Sequence, residues 1–329
     1  MTISATDIVV PVSSKTPLLY LLTQKVAQKF GYVLGIGETP NRIIGSTVSG
    51  IGNTNLKWET VEDWNVGLDL ALLQSRLKIT ADYFEKTSHD MLMKKDNLLI
   101  LGYPMWNGQM WENVGKMKAS GWELGINWND HIQDFTYGVG LNLSQVKNKA
   151  VKLNGDYIWT GGFSGDYIVR NAEGESLSQF WGYKTAGIFQ NQKEINEWIA
   201  AGNGVMQSNV QPGDVKYVDI NHDGVINAND KVDLGNGLPK YTFGFNFNLG
   251  WKGFDLAANF TGAAGFKIAQ SYRDPSSSQG NYSRRILNRW TGEGTGNEIP
   301  RVTYGDVGNW LFSDLYLQDG DYIRLQNLT

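Results

Sequence analysis

The 329-residue chain has no cysteine, which excludes structural disulfides and thiolate metal sites and leaves an envelope location open. Its three histidines, His89, His131 and His222, lie far apart, with no neighbouring His or carboxylate at a catalytic or zinc spacing. No apolar run approaches the roughly 20 residues that a spanning helix needs, and mean hydropathy is slightly negative at -0.33. Barrels escape that test, because their strands are apolar only at every second position. A net charge of -4 argues against a nucleic-acid partner. No Gly-x-Ser-x-Gly, phosphate loop or dinucleotide fingerprint occurs. Paired carboxylates such as Glu62-Asp63, or Asp319 with Asp321, read as solvated charge, so an enzyme is not expected. The first residues do not read as a signal peptide: the apolar patch at 18–22 follows Lys15 with no small-residue cleavage site behind it. A barrel chain without an export signal is expected to be a piece of a longer one.

What the chain has is glycine and aromatics, 39 Gly and 12 Trp, set in strict alternation. In 241–261, Tyr241, Phe243, Phe245, Phe247, Leu249 and Trp251 share one face, and Thr242, Gly244, Asn246, Asn248 and Gly250 the other. Period two predicts a strand. Lys252-Gly253 makes a two-residue reversal, and Phe254, Leu256, Ala258 and Phe260 return opposite Asp255, Ala257, Asn259 and Thr261. The design recurs from Trp64 to Leu70, across a turn near Gln74-Ser75, to Leu77–Tyr83. It recurs again from Trp122 to Trp128, across a turn near 131–133, to Phe135–Leu143. A soluble sandwich would carry Lys and Glu on its second face. Gly, Asn, Ala and Thr suit the wall of a wide, wet lumen, and the Phe- and Trp-rich face suits lipid and its aromatic girdles. Short turns alternate with long connections (84–117, 144–240, 262 onward), the pattern of periplasmic turns and extracellular loops. The expected fold class is therefore all-β, a transmembrane antiparallel β-barrel with long extracellular loops.

The sharpest chemical motif runs from Asp219 to Asp230. Side-chain oxygens of Asp219, Asn221, Asp223, Asn227 and Asp230 fall at positions 1, 3, 5, 9 and 12, with Gly224 at 6 and the Val225 carbonyl at 7. That is the spacing of an EF-hand-type calcium loop, in which Gly turns the chain so that later oxygens return to the ion. Asp rather than Glu at position 12 shortens the reach. The stretch before it, 213–218, reads as a strand, so the expectation is a calcium loop without paired EF-hand helices and with a structural Ca2+. The alternative is an Asx-rich turn held by its own side-chain to backbone bonds.

Several segments together resemble a known family. Asn53-Thr54-Asn55-Leu56-Lys57-Trp58-Glu59-Thr60 followed by Asn65-Val66-Gly67-Leu68-Asp69 is similar to a signature of the SusC/RagA class of TonB-dependent outer-membrane transporters. In the family's order follow Asn113-Val114-Gly115-Lys116-Met117 with Gly121-Trp122-Glu123, the stretch 174–190 ending Ala186-Gly187-Ile188-Phe189-Gln190, and Pro212-Gly213-Asp214-Val215-Lys216-Tyr217 leading into the acidic loop. Leu238-Pro239-Lys240-Tyr241, Arg289-Trp290, Ile299-Pro300-Arg301 and 322–329 complete the series. The resemblance covers 50–329. It implies a partial barrel of a 22-stranded transporter, lacking its plug and terminal strands, in the outer membrane of a Gram-negative, Bacteroidetes-like cell. It further implies import of large nutrients, typically glycans or oligosaccharides, with a SusD-like surface lipoprotein as lid and TonB acting through the missing N-terminal part. Residues 1–50 fit the family poorly: 15–30 admits either a short amphipathic helix or a loop with a degenerate strand.

Tyr103, Trp106, Trp111, Tyr157, Trp159, Phe163 and Tyr167 sit in Gly- and Asn-rich loops, where flat rings either stack on sugars or pack the loops together. Two other classes stay open on the residues alone. One is a self-contained small porin, whose last strand would pair with its first. The other is a soluble, calcium-stabilised carbohydrate-binding β-protein with the apolar faces as its core.

Overall fold

The computed structural model describes residues 2–11, 27–34, 41–48, 53–96, 109–155, 157–163, 166–270, 284–303 and 308–329. In chain order the first strands are β1 (Thr2–Pro11), β2 (Ala27–Leu34), β3 (Asn41–Val48), β4 (Thr60–Leu72), β5 (Leu77–Asp96), β6 (Gln109–Ile132) and β7 (Phe135–Lys152). Then come β8 (Tyr157–Phe163), β9 (Asp166–Ala172), β10 (Gln179–Tyr183), β11 (Thr185–Ile188), helix α1 (Gln192–Ala200), β12 (Val215–Tyr217) and β13 (Lys231–Asn236). Last are β14 (Tyr241–Trp251), β15 (Phe254–Ala264), β16 (Lys267–Ala269), β17 (Leu317–Asp319) and β18 (Tyr322–Leu328). Eight of them form one antiparallel sheet in the order β1-β4-β5-β6-β7-β14-β15-β18, with β1 and β18 at its two open edges. β2 and β3 pair as a separate hairpin, so residues 27–30 are strand rather than helix; 12–26, Tyr103 and Trp106 lie outside the described residues.

Register carries the alternation across the whole sheet. Leu70, Ile79, Ile126, Leu141, Phe245 and Phe260 lie directly opposite one another in turn, making one continuous apolar row. One residue along, the row is Asp69, Thr80, Gly125, Asn142, Gly244, Thr261 and Arg324. The apolar face is open, with Val66, Tyr83, Val139, Leu141, Phe245 and Leu256 all exposed. The polar face is concave: an open hollow of about 530 Å³ is lined by Thr80, Asp82, Glu123, Asn142, Ser144 and Thr242 among others. No sandwich core forms on either side of this wall among the described residues.

Two aromatic rows bracket the apolar band. Tyr83, Trp122, Gln145 and Tyr241 are aligned across four strands, joined as Trp122 Nε1 donates to Gln145 Oε1 (2.8 Å) and Gln145 Nε2 donates to the Tyr241 hydroxyl (3.2 Å). Phe135, Trp251 and Phe254 line up at the short-turn end. Ten residues separate Tyr241 from Trp251, about 33 Å along a strand and about 25 Å along a barrel axis at a tilt of roughly 40°. That is the height of the apolar band of an outer-membrane barrel.

The turns at the Trp251 end are tight. Lys252 (φ 47°) and Gly253 (φ 87°) both lie in the left-handed region, as a two-residue primed turn demands, and Trp251 pairs with Phe254. The second reversal is Gln133-Asp134, since Ile132 pairs with Phe135, one residue later than the alternation alone suggests. The first uses four residues, 73–76, with Leu72 opposite Leu77.

The opposite end departs from the expectation of long irregular loops. β5, β6 and β7 run 20, 24 and 18 residues, and 24 residues is about 80 Å of strand, far more than a bilayer needs. Alternation stops above the aromatic row because both faces there meet water, and the ribbon is tied instead by ion pairs such as Lys118–Glu85 (2.6 Å) and Lys95–Glu112 (3.1 Å). The connection 144–240 is likewise not irregular. It holds a four-stranded sheet, β13-β10-β9-β8, the pair β11–β12 and α1, and its packing supplies the buried core described below.

Glycines on the concave face make room for amides on the neighbouring strands. A Cβ on Gly140 would lie 2.5 Å from Asn246 Nδ2 and 2.8 Å from Asn127 Oδ1, and Gly138 sits the same way between Asn129 and Asn248. Gly140→Val should therefore destabilise the wall by about 1–3 kcal/mol, read as a lower midpoint of heat denaturation in detergent. Adding Asn246→Ala should return part of the loss; no recovery in the double variant would refute the interlocking.

Candidate functional site

The buried core lies off the wall, in a lobe that two connections build jointly. Ile168 and Phe180 from 153–240 pack with Trp310, Phe312 and Tyr316 from the connection after β15, and Tyr183, Val215, Tyr217 and Ile226 form an adjoining cluster with Leu311 and Leu315 against it. Three polar staples hold the two connections together. Asp214, fully buried, accepts from Arg301 Nε at 2.6 Å and Arg301 Nη2 at 3.2 Å. Asn309 Nδ2 donates to the same carboxylate (2.7 Å), while its Oδ1 accepts from the Val215 amide and Gln207 Nε2. Asp314 accepts from the Thr185 amide and hydroxyl, the latter at 2.6 Å. The third staple is Gln190, whose Oε1 accepts from Trp290 Nε1 (3.2 Å) and the Gly294 amide (3.0 Å).

These contacts unite stretches that the sequence presents as separate motifs. Gly213-Asp214 meets Ile299-Pro300-Arg301, and Phe189-Gln190 meets Trp290. On the wall, Asn113 Nδ2 donates to the Lys57 carbonyl and its Oδ1 accepts the Lys57 amide, so the 53–60 and 113–117 motifs also pair. No local pattern announces partners that are 56 to 100 residues apart.

Helix α1 is capped by Asn191, which accepts from the Glu194 amide at 3.0 Å. Glu194 in turn accepts from the Gln190 amide (2.6 Å) and from the Lys216 ammonium. Burial pushes its carboxyl upward, but the Gln190 N–H and Lys216 outweigh burial and hold it below its ordinary 4.5.

The acidic loop lies between β12 and β13, with a strand rather than a helix before it. Asp219 and Asp230 are buried, at 3% and 0% exposure. The Gly224 amide donates to Asp219 Oδ2 (2.7 Å) and the Asp223 amide to Asp219 Oδ1 (3.3 Å). The Ile220 and Asn227 amides donate to Asp230 at 2.9 and 2.8 Å. Asp223 accepts from the Val225 amide and from Asn221 Nδ2, and Asn227 caps the short 3-10 turn Ala228–Asp230. Burial raises the Asp219 carboxyl, yet the amides of Gly224, His222 and Asp223 bring it below its ordinary value. Ile226 anchors the loop in the lobe core. Among the described residues no three His, Asp or Glu side chains form a metal-sized group, and neither buried carboxylate has a Lys or Arg partner.

A family model for TonB dependent receptor-like β-barrels matches residues 12–328. The chain belongs to this family. Relatives of the SusC/RagA class are among its matches. It is 30% identical over 297 residues to the TonB-dependent receptor P3 of Formosa agariphila, covering 88% of this chain and 28% of that protein. It is 26% identical to the TonB-dependent receptor SusC of Bacteroides thetaiotaomicron, covering 84% and 26% respectively. The chain thus spans under a third of the length of these relatives. The RagAB peptide importer in its open-open state shares the fold, with a TM-score of 0.66 at 20% identity over 93% of this chain and 31% of that one.

Removing Arg301 leaves the Asp214 charge buried without its cation. Arg301→Ala should cost the lobe about 3–5 kcal/mol, visible as a separate early step in thermal unfolding followed by tryptophan fluorescence; a single unshifted transition would contradict the staple. Because the folded Glu194 carboxyl titrates below 4.5, its contribution is full above that pH and is lost as pH falls through the folded value. Glu194→Gln should flatten the acid limb of lobe stability while leaving it unaltered in slope above about pH 6.

Proposed function

We propose that the chain forms part of the wall and outer lobe of an outer-membrane importer of large nutrients, glycans or their oligosaccharides. The reading has it energised through TonB and closed from outside by a SusD-like lipoprotein. The observation that carries it is the apolar band between two aromatic rows, backed by a concave face of Gly, Asn and Thr: one face suits lipid and the other a wide aqueous passage. Coverage of under a third of its relatives supports residues 51–329 as part of a larger barrel, and β1, paired with β4 in the same sheet, brings residues 2–11 into that unit. Aromatic side chains in the lobe, with amide neighbours, favour sugars as cargo.

Deletion of the encoding gene should abolish growth on one class of polysaccharide or oligosaccharide while leaving growth on its monosaccharides intact, and the gene in trans should restore it. Unchanged growth on every oligomeric and polymeric sugar would sink the glycan reading; lost growth on peptides instead would keep an importer and change its cargo.

Calcium belongs to the same reading. Two buried carboxylates, Asp219 and Asp230, lack a cationic partner, and a buried charge of that kind calls for a counter-ion. With Asn221, Asp223, Asn227 and the Val225 carbonyl at the remaining positions, the donors are all hard oxygens, which fits Ca2+ in character. The ion would brace the loop against the lobe core through Ile226. Calorimetric titration should give a dissociation constant on the order of 10⁻⁴–10⁻³ M, the range of extracellular modules, with Asp219→Asn eliminating the signal; an equal signal from that variant would leave only the self-bonded turn.

A further inference from the structure

The four-stranded sheet of the lobe carries a cluster of rings and cations that none of the staples uses. Trp159 is opposite Arg170 in the β8–β9 register, and Trp181 is opposite Asp233 in β10–β13. The Arg170 guanidinium lies 3.9 Å from the Trp181 ring centre and 5.7 Å from that of Tyr157. Tyr157 meets Trp159 edge-on at 5.9 Å and is 53% exposed. Lys231 Nζ stands 5.9 Å from the Trp159 ring and 5.4 Å from the Tyr183 ring, and among the described residues it makes no ion pair.

Several polar atoms here are unfinished. Arg170 Nη2 pairs with Glu175 Oε1 at 3.3 Å, but Arg170 Nε, Glu175 Oε2 and Gln179 Oε1 are buried without partners. Gln179 Nε2 donates to Asp233 Oδ2 at 3.3 Å. The platform therefore offers flat π faces and an ammonium with three donors and no acceptor, while the unfinished guanidinium, carboxylate and amide atoms lie beneath its surface.

We propose that this platform is a binding site for a uronic-acid residue of an acidic oligosaccharide. Such a ring has a C–H face to stack on Tyr157 and Trp159 and a carboxylate for Lys231. A neutral sugar leaves the ammonium unanswered, and an acidic peptide lacks the flat C–H face. The proposal rests on the glycan-importer reading and narrows its cargo.

Calorimetric titration of the full chain in detergent with tetragalacturonate, maltotetraose and tetraglutamate tests it. Tetragalacturonate should bind saturably and at least about tenfold more tightly than the other two. Lys231→Gln should weaken it about tenfold, Lys231→Arg should retain most of it, and Trp159→Ala should abolish it, with far-UV circular dichroism unchanged in each. Equal affinity for maltotetraose overturns the acidic specificity while the glycan importer stands. Binding of tetraglutamate alone overturns both readings. Tetragalacturonate binding that survives Lys231→Gln and Trp159→Ala removes the site from this platform, and no binding of any probe ends the proposal without touching the growth phenotype.

Discussion

Everything in this chain depends on side-chain parity being kept in step across the large sheet. With a period of two, a slip of one residue in any pair of strands would send a row of Phe and Leu to the wet face and Asn and Asp to the apolar one. The pairing from Leu70 through Phe260 avoids that at every interface. The concave face enforces the same register independently. Asn127 and Asn246 occupy the space over Gly140 from either side, and a shifted strand would put an amide against a side chain instead of a hydrogen. Lipid compatibility, a lumen free of bulky side chains and strand pairing thus follow from one geometric condition.

The lobe obeys different physics. A wall exposed to lipid on one face and water on the other has no dry interior, so the buried residues gather where two connections fold over each other: Tyr217, Tyr316, Phe189 and Ile188 are all under 3% exposed. The cluster around Phe180 draws Trp310, Phe312 and Tyr316 from the other connection, so the two share that core. Asp214 with Arg301 fixes how they meet. A buried ion pair contributes little net stability but penalises every arrangement that separates its members. The two connections therefore form one cooperative unit, rather than two loops free to move apart.

That unit places chemistry at the outer end of the wall. The acidic loop follows β12 and is anchored by Ile226, and β13 leaves it at Lys231, beside the rings of Trp159 and Tyr183. An ion held by Asp219 and Asp230 would stiffen the segment that positions Lys231. The proposed metal and sugar sites would then be coupled through adjacent residues, Asp230 and Lys231.

The wall was legible in the residues because membrane strands announce themselves locally. Alternation from Tyr241 to Phe260, with Lys252-Gly253 between, contains both strands, their faces and their turn, and needs no distant partner to be read. The acidic loop was legible for the same reason, its twelve positions being contiguous. The lobe was not. Asp214 and Arg301, Gln190 and Trp290, Phe180 and Phe312 are separated by 87, 100 and more residues, and nothing near any of them marks its partner. Nor did alternation reveal the length of β5 and β6, which continue as ribbon where water on both faces removes the apolar signal. Sequence alone determined which face of each strand meets lipid, because that depends on the period of the chain. Tertiary structure alone decided which long connections share a core and which rings gather around Lys231, because those depend on surfaces that only the folded chain brings together.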